Sequence, residues 1–392
     1  MTTTINNEHK KLNVPNLRFP EFQGEWEKCI LGDITENFNL RNKDKIQYPM
    51  FSVTNDRGFV PQSEQFEGRD MVGEDIKAYK IIHTNDFAYN PARINVGSIA
   101  MYTGEKPCMI SSLYVCFKTT KEVNNEWLMQ LLKTPKMNYY YNVNGEGGVR
   151  VYLFYPNFAR IRMSIPKIEE QKKIAKLLNL IDERIATQNK IIEDLKKLKS
   201  AIIEKLYKEI QGTWYSYRQL FSIINERNKQ LEYSNVLSAS QERGMVSRED
   251  LNLDIHFERS NISTYKIVKN GDYVIHLRSF QGGFAFAEKT GICSPAYTVL
   301  RPNNLLVYGY LSNYFTSRDF VKSLIIVTYG IRDGRSINVD EWLDMKVVIP
   351  SKEQQTHIVN VIESIENKIK NEETYSNCLL NQKQYLLRQM FI

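Results

Sequence analysis

Along the chain the hydrophobic pattern alternates between two regimes, and each regime occurs twice. From Trp26 to about Ile165 the apolar residues fall in short aromatic and β-branched runs broken by Gly, Pro and Asn. Runs such as SLYVCFK, AYTVLRP and DYVIHLR predict strands, while NNEWLMQLLKTP and YGYLSNYFTS predict short helices, the first ended by Pro135. After Ile165 the period changes. Ile174, Leu178, Ile181, Ile185, Ile192, Leu195, Ile202 and Leu206 follow alternating steps of three and four, with Gln188 and Lys199 filling the gaps. Ile358, Ile362, Ile365, Ile369, Leu379, Leu386 and Met390 repeat the pattern, interrupted by Glu372, Ser376 and Lys383.

A heptad sustained in this way predicts a long helix whose apolar seam packs on another helix. Pro166 and Pro350 suit helix starts, and an early Glu complements the positive helix end. A helix of about 40 residues spans ~60 Å at ~1.5 Å per residue, more than the width of a globule of about 140 residues. Two packings are open. Each helix can lie on its own globule, or the two can pair antiparallel and carry the globules at opposite ends of a rod.

The duplication extends beyond the pattern. SIPKIEEQKKIAKLLNLIDERI (Ser164–Ile185) and VIPSKEQQTHIVNVIESIENKI (Val348–Ile369) align at an offset of 184, sharing Ile165/Ile349, Pro166/Pro350, Glu169/Glu353, Gln171/Gln355 and Ile174/Ile358. TNDRGFV parallels SQERGMV and YKIIHTNDF parallels YKIVKNGDY, both at 186, and Trp26 and Trp214 lie 188 apart. The expected fold is α+β: two similar mixed globules and two long helices. Its expected segments are a flexible tail (1–13), a first globule (14–165), a central helix (166–210), a second globule (211–349) and a C-terminal helix (350–392).

Composition narrows the class. With 42% hydrophobic and 25% charged residues, the 392-residue chain reads as soluble and globular, large enough for two or three domains. No apolar run approaches the roughly 20 residues of a membrane span, and MTTTINNEHKKL has no signal-peptide core. The five cysteines form no C-x-x-C pair and the five histidines are scattered, which favours reduced thiols, a cytoplasmic location and no metal. Residues 161–210 carry 12 basic and 8 acidic side chains, much of the net +7, so a polyanionic partner would have to meet a shaped surface rather than a basic tail.

Catalytic signatures are missing. There is no phosphate-binding G-x-x-x-x-G-K-[ST], no G-x-G-x-x-G after a strand and no serine elbow. NPAR at Asn90–Arg93 lacks the second proline and the aromatic of an adenine methyltransferase site. The Asp-x-Lys triplets lack the context of a nuclease. A binding protein is expected, not an enzyme.

The chain resembles the specificity subunit of a type I restriction-modification system. The resemblance rests on the VPNLRFPEFQGEW opening, the IPKIEEQKKIAKLLNLIDERI helix, its second copy IPSKEQQTHIVNVIESI and the globule–helix–globule–helix order. It implies that each globule is a target-recognition domain reading one half of a split, asymmetric DNA site, with the helices as an antiparallel spacer. It also implies partners: double-stranded DNA, two modification subunits that bind S-adenosylmethionine and methylate adenine, and restriction subunits that use ATP and Mg²⁺. This chain itself would hold no cofactor. Half-sites one helical turn apart lie ~34 Å centre to centre, a distance two domains on such a rod can span. The competing expectation is a structural scaffold with two ligand-binding modules on a coiled-coil rod.

Base reading calls for Arg or Lys against guanine and Asn or Gln against adenine, presented on loops. After the DFAYN and DYVIH strands, the loops carry Arg93 and Asn95 in one copy and Arg278, Ser279 and Gln281 in the other. Arg150 in GGVR corresponds to Arg332 and Arg335 in YGIRDGR. Arg57 and Arg243 lie in the matching TNDRGFV and SQERGMV stretches, whose similarity suits phosphate contact rather than base reading. Tyr139–Tyr141 is expected to be mainly a packing face. Lys172, Lys173, Lys176, Lys196 and Lys197 form a solvated helix exterior, with subunit or phosphate contact as the alternative.

Overall fold

The computed structural model describes residues 12–65, 76–147, 151–240, 243–251, 259–276, 283–329 and 336–392. The chain divides into two compact units, Met1–Gln188 with Tyr375–Ile392, and Asn189–Thr374. Each unit contains one globule and a part of each long helix.

The two globules use the same parts in the same order. In the first, a four-stranded antiparallel sheet runs in the spatial order Thr35–Phe38, Val115–Thr119, Phe87–Tyr89, Ile99–Met101. In the second the order is Phe221–Ile224, Thr298–Pro302, Tyr273–Ile275, Phe284–Phe286. Each has a hairpin, Phe51–Thr54 with Gly58–Pro61 and Leu237–Ser240 with Gly244–Ser247. Each also has a short ladder, Lys80–Ile82 with Cys108–Ile110 and Lys266–Val268 with Gly291–Cys293. The α+β duplication read from the sequence is therefore a duplication of topology.

One match between the copies does not survive. Glu27 pairs with Ile165 and Thr213 with Ile349, so Trp214 takes the place of Lys28, and Gly212 that of Trp26. Trp26 is buried, whereas Trp214 is 65% exposed. The offset of 188 aligned two tryptophans that the strand register puts at different positions, a shift of two residues between copies.

Strand alternation explains why both faces of each sheet are covered. Phe87, Tyr89 and Phe117 face a large aromatic core with Trp127 and Phe158, while Ala88, Ala100 and Cys116 face a smaller core under the hairpin. In the second globule Tyr273, Ile275 and Leu300 take the first role, and Val274, Ala285 and Val299 the second. Pro135 ends one helix, Asn125–Leu132, and opens another, Pro135–Asn144, at the position where its missing N–H costs nothing. Thr134 caps that second helix, its Oγ1 accepting from the Met137 amide at 3.2 Å.

The long helices are Ile168–Lys208, 41 residues, and Lys352–Gln389, 38 residues. Within each unit a long helix packs both on the globule and on the other helix. In the first unit Ile174, Ala175 and Leu178 belong to the globule's core together with Leu387 from the other helix and with Met390 and Phe391 just past its end, and farther along Ile181 and Ile185 meet Leu379. In the second unit Ile358 and Ile362 join the core with Ile203. Partner numbers rise along one helix as they fall along the other, so the pairing is antiparallel. The polar residues that broke the heptad have uses: Lys199 donates to Glu366 at 2.6 Å, Lys383 donates to Asp182 at 2.5 Å, and Gln188 and Ser376 are buried.

Each helix start is pinned by a buried glutamine. Gln171 donates to the carbonyls of Pro166 (2.9 Å) and Glu122 (3.2 Å) and accepts from the Asn124 amide at 2.8 Å. Gln355 donates to Pro350 and Leu305, both at 3.0 Å, and accepts from the Val307 amide at 2.8 Å. The shared Pro-x-x-Glu-x-Gln spacing thus encodes the joint between helix and globule. Among the described residues no helix is long and apolar enough to cross a membrane.

Candidate nucleic-acid interface

In the first globule the loop after Phe87–Tyr89 is tightly built. The Asn90 side chain accepts from the Ala92 amide at 3.0 Å, and the carbonyl of Asn90 accepts from Arg93 at 3.0 Å. One 3-10 turn, Ile94–Val96, follows and ends at Gly97, whose φ of 102° lies in the left-handed region. Ile94 is buried and anchors the turn, while Ser98 donates to the Val53 carbonyl at 2.8 Å and ties it to the hairpin. A Cβ at Gly97 would stand 3.1 Å from the carbonyl oxygen of Asn55 at the hairpin tip. That close approach needs glycine.

The fold thereby gathers residues far apart in sequence. Arg57, on the same hairpin tip, is 56% exposed and stands 3.9 Å from Glu64, a weak surface pair. Arg93 is exposed, and its guanidinium makes no hydrogen bond or ion pair among the described residues. Asn95 donates to the side chain of Asn142 at 3.0 Å, which brings the helix Pro135–Asn144 to the loop. Leu153 donates to the Pro91 carbonyl at 3.0 Å, adding the segment that carries the stacked, exposed rings of Tyr152 and Phe154. Val96, Tyr139 and Val143 are also exposed. Within the tyrosine run only Tyr141 is a core residue; its hydroxyl donates to the Leu132 carbonyl at 2.7 Å, and burial holds its pKa well above the ordinary phenol range.

The result is a surface of a guanidinium unpaired among the described residues, a held amide and exposed aromatic and aliphatic groups on a well-anchored base. Such a surface can hydrogen-bond base edges and stack on or pack against them. Sequence reasoning missed Asn142, Val96, Tyr152 and Phe154. The helical step from Met137 to Tyr141, both buried, is the signal that turns Tyr139, Asn142 and Val143 outward.

In the second globule Arg243 holds the place of Arg57. Its amide meets the Ser240 hydroxyl at 3.3 Å, as that of Arg57 meets the Thr54 hydroxyl at 3.1 Å, and Gly244 matches Gly58 with φ of 68° and 66°. The guanidinium of Arg243 reaches the Asp250 carbonyl at 3.4 Å. Arg150, Arg278, Ser279, Gln281, Arg332 and Arg335 lie outside the described residues. Of the five helix lysines, Lys172, Lys173, Lys196 and Lys197 pair with Glu169, Glu21, Glu373 and Glu193. Lys176 has no ion pair among the described residues. No cluster of three or more His, Cys, Asp and Glu suited to a metal occurs among the described residues.

Known proteins are similar to this chain in sequence and in fold. Residues 23–197 match the family described as the type I restriction modification DNA specificity domain. Two proteins of Methanocaldococcus jannaschii are similar over nearly the whole length. The putative type I restriction enzyme MjaX specificity subunit is 23% identical over 92% of this chain and 91% of that protein. The type I restriction enzyme MjaVIII specificity subunit is 24% identical over 90% and 88%. The fold is that of the S subunit of a type I restriction-modification system from M. genitalium (TM-score 0.54, 12% identity, 97% of this chain and 99% of that one). It is equally that of a chain from a type I R-M system studied for complex assembly and conformational transition (TM-score 0.60, 13% identity, 92% and 96%). The resemblance to type I specificity subunits holds.

Proposed function

We propose that this chain recognises a bipartite, asymmetric DNA site, one half per globule, and directs adenine methylation and restriction by partner subunits. One observation carries the reading. Two globules of one topology keep the same scaffold but diverge in the loop after the central strand, NPARINVGS against HLRSFQGG. Two readers of different half-sequences need a common frame and different tips; two modules for one ligand would keep their tips alike. Arg93 and Asn95, with Arg278, Ser279 and Gln281 in the second copy, contact base edges, as do Arg150, Arg332 and Arg335 or the neighbouring phosphates. Arg57 and Arg243, on matching hairpins, contact phosphates.

Chemistry is supplied in trans in this reading. Two modification subunits bring S-adenosylmethionine, restriction subunits bring ATP and Mg²⁺, and the complex works in the cytoplasm. The test is a genome-wide map of methylated adenines in cells with and without the gene, with the modification partner supplied. Loss of one split motif, two short halves around a fixed spacer, is the expected result. An unchanged map with an active partner present would overturn it.

A further inference from the structure

We propose that Asn142 is a positioning residue for Asn95 and that the pair reads an adenine in one half of the DNA site; this rests on the function proposed above. The geometry is a relay of two amides. Asn142 donates through Nδ2 to the carbonyl of Asn138, one helical turn back, at 2.9 Å. That bond settles which way the Asn142 amide faces and turns its Oδ1 toward the loop, where it accepts from Nδ2 of Asn95 at 3.0 Å. The amide of Asn95 is held in turn. Its Oδ1 and its second N–H are unused among the described residues.

An acceptor beside a donor matches adenine, which presents N7 and the N6 amino group in the major groove. Guanine presents two acceptors there, cytosine an amino donor, and thymine an acceptor beside a methyl group. A free asparagine amide can turn by half a revolution and present the two groups in reverse order. The contact with Asn142 removes that freedom, so the order of acceptor and donor is fixed before DNA arrives. The base of the loop is equally fixed, by buried Ile94 and by the bond from Ser98 to Val53. Exposed Arg93 and Val96 flank the amide, a donor fork on one side and an apolar group on the other.

The experiment uses the full chain with its modification partners in cells and reads the methylated motif for Asn95→Ala, Asn142→Ala and Asn142→Asp. Asn95→Ala and Asn142→Ala are expected to lower the preference for adenine at one position of one half-site by roughly 10- to 100-fold. The other half-site stays intact, which also reports that the chain has folded and assembled. Asn142→Asp keeps an acceptor for Asn95 and is expected to retain the preference. Full discrimination in Asn142→Ala, with loss in Asn95→Ala, overturns the positioning role. Full discrimination in both overturns the pair as a reader, while a bipartite motif from the unaltered chain leaves the proposed function standing. Loss of both half-sites together marks a structural role for Asn142 and overturns the inference. No split motif from the unaltered chain overturns the proposed function and this inference with it.

Discussion

The ammonium of Lys383 donates to the carboxylate of Asp182 at 2.5 Å, bridging the two long helices of the first unit. In the second unit Lys199 and Glu366 make the equivalent bridge at 2.6 Å, each residue 184 positions from its counterpart. Asp182 also accepts from Gln130 of the globule at 2.8 Å, so one carboxylate joins globule and both helices.

Both bridges are partly exposed, which limits their strength. A double-mutant cycle of Asp182→Ala and Lys383→Ala, followed by urea unfolding, is expected to give a coupling of about 0.5–1 kcal/mol that shrinks in high salt. Exchanging the charges, Asp182→Lys with Lys383→Asp, should recover much of the loss from either single reversal.

Gln171 and Gln355 predict larger effects. Replacing either by Ala leaves a partly buried backbone N–H and two carbonyls short of partners, at a cost of roughly 1–3 kcal/mol. Denaturant titration should show similar losses for the two variants, since the two joints are built alike.

The bidentate pair of Arg18 with Glu170 is the third test. Both guanidinium contacts are 2.7 Å, Glu170 is 2% exposed, and Trp26 also donates to it at 3.3 Å. Arg18→Ala strands a buried carboxylate and is expected to cost about 3–5 kcal/mol. Glu170→Gln, which removes the charge but keeps the size, should cost less. Thermal melts of the two variants decide the order.

Thiol chemistry offers a fourth. Burial pushes Cys108, Cys116 and Cys293 up to about 12 and Cys29 up to about 11, whereas Cys378 is exposed. Alkylation of the folded chain at neutral pH should modify Cys378 first, read by peptide mass mapping. The raised thiols favour the neutral form in the fold. Their contribution to stability is therefore complete below the unfolded thiol pKa near 9 and is lost as pH rises from there toward about 12.

Much of the architecture was legible in the order of residues. Heptad spacing revealed both long helices, because a buried helical stripe has a period that few other arrangements share. Matching stretches such as YKIIHTNDF and YKIVKNGDY revealed the duplication. The tryptophan alignment failed because strand register, set by pairing between Glu27–Ile30 and Arg162–Ile165, is not local information. The site was less legible. Arg93 and Asn95 were found as polar residues beside glycine, but nothing in the neighbourhood of Asn95 pointed to Asn142, 47 residues away.

The sequence by itself determined the repeated topology, the amphipathic helices, the matching Pro-x-x-Glu-x-Gln helix starts and the absence of a catalytic motif. These depend on periods and spacings within a segment. Tertiary structure alone decided which polar residues stand together, since hydrogen bonds such as those from Asn95 to Asn142 and from Lys383 to Asp182 exist only once distant segments have packed. It also decided which aromatics are core and which are surface, because Tyr139 and Tyr141 differ in nothing but the side of the helix that the packed globule leaves open.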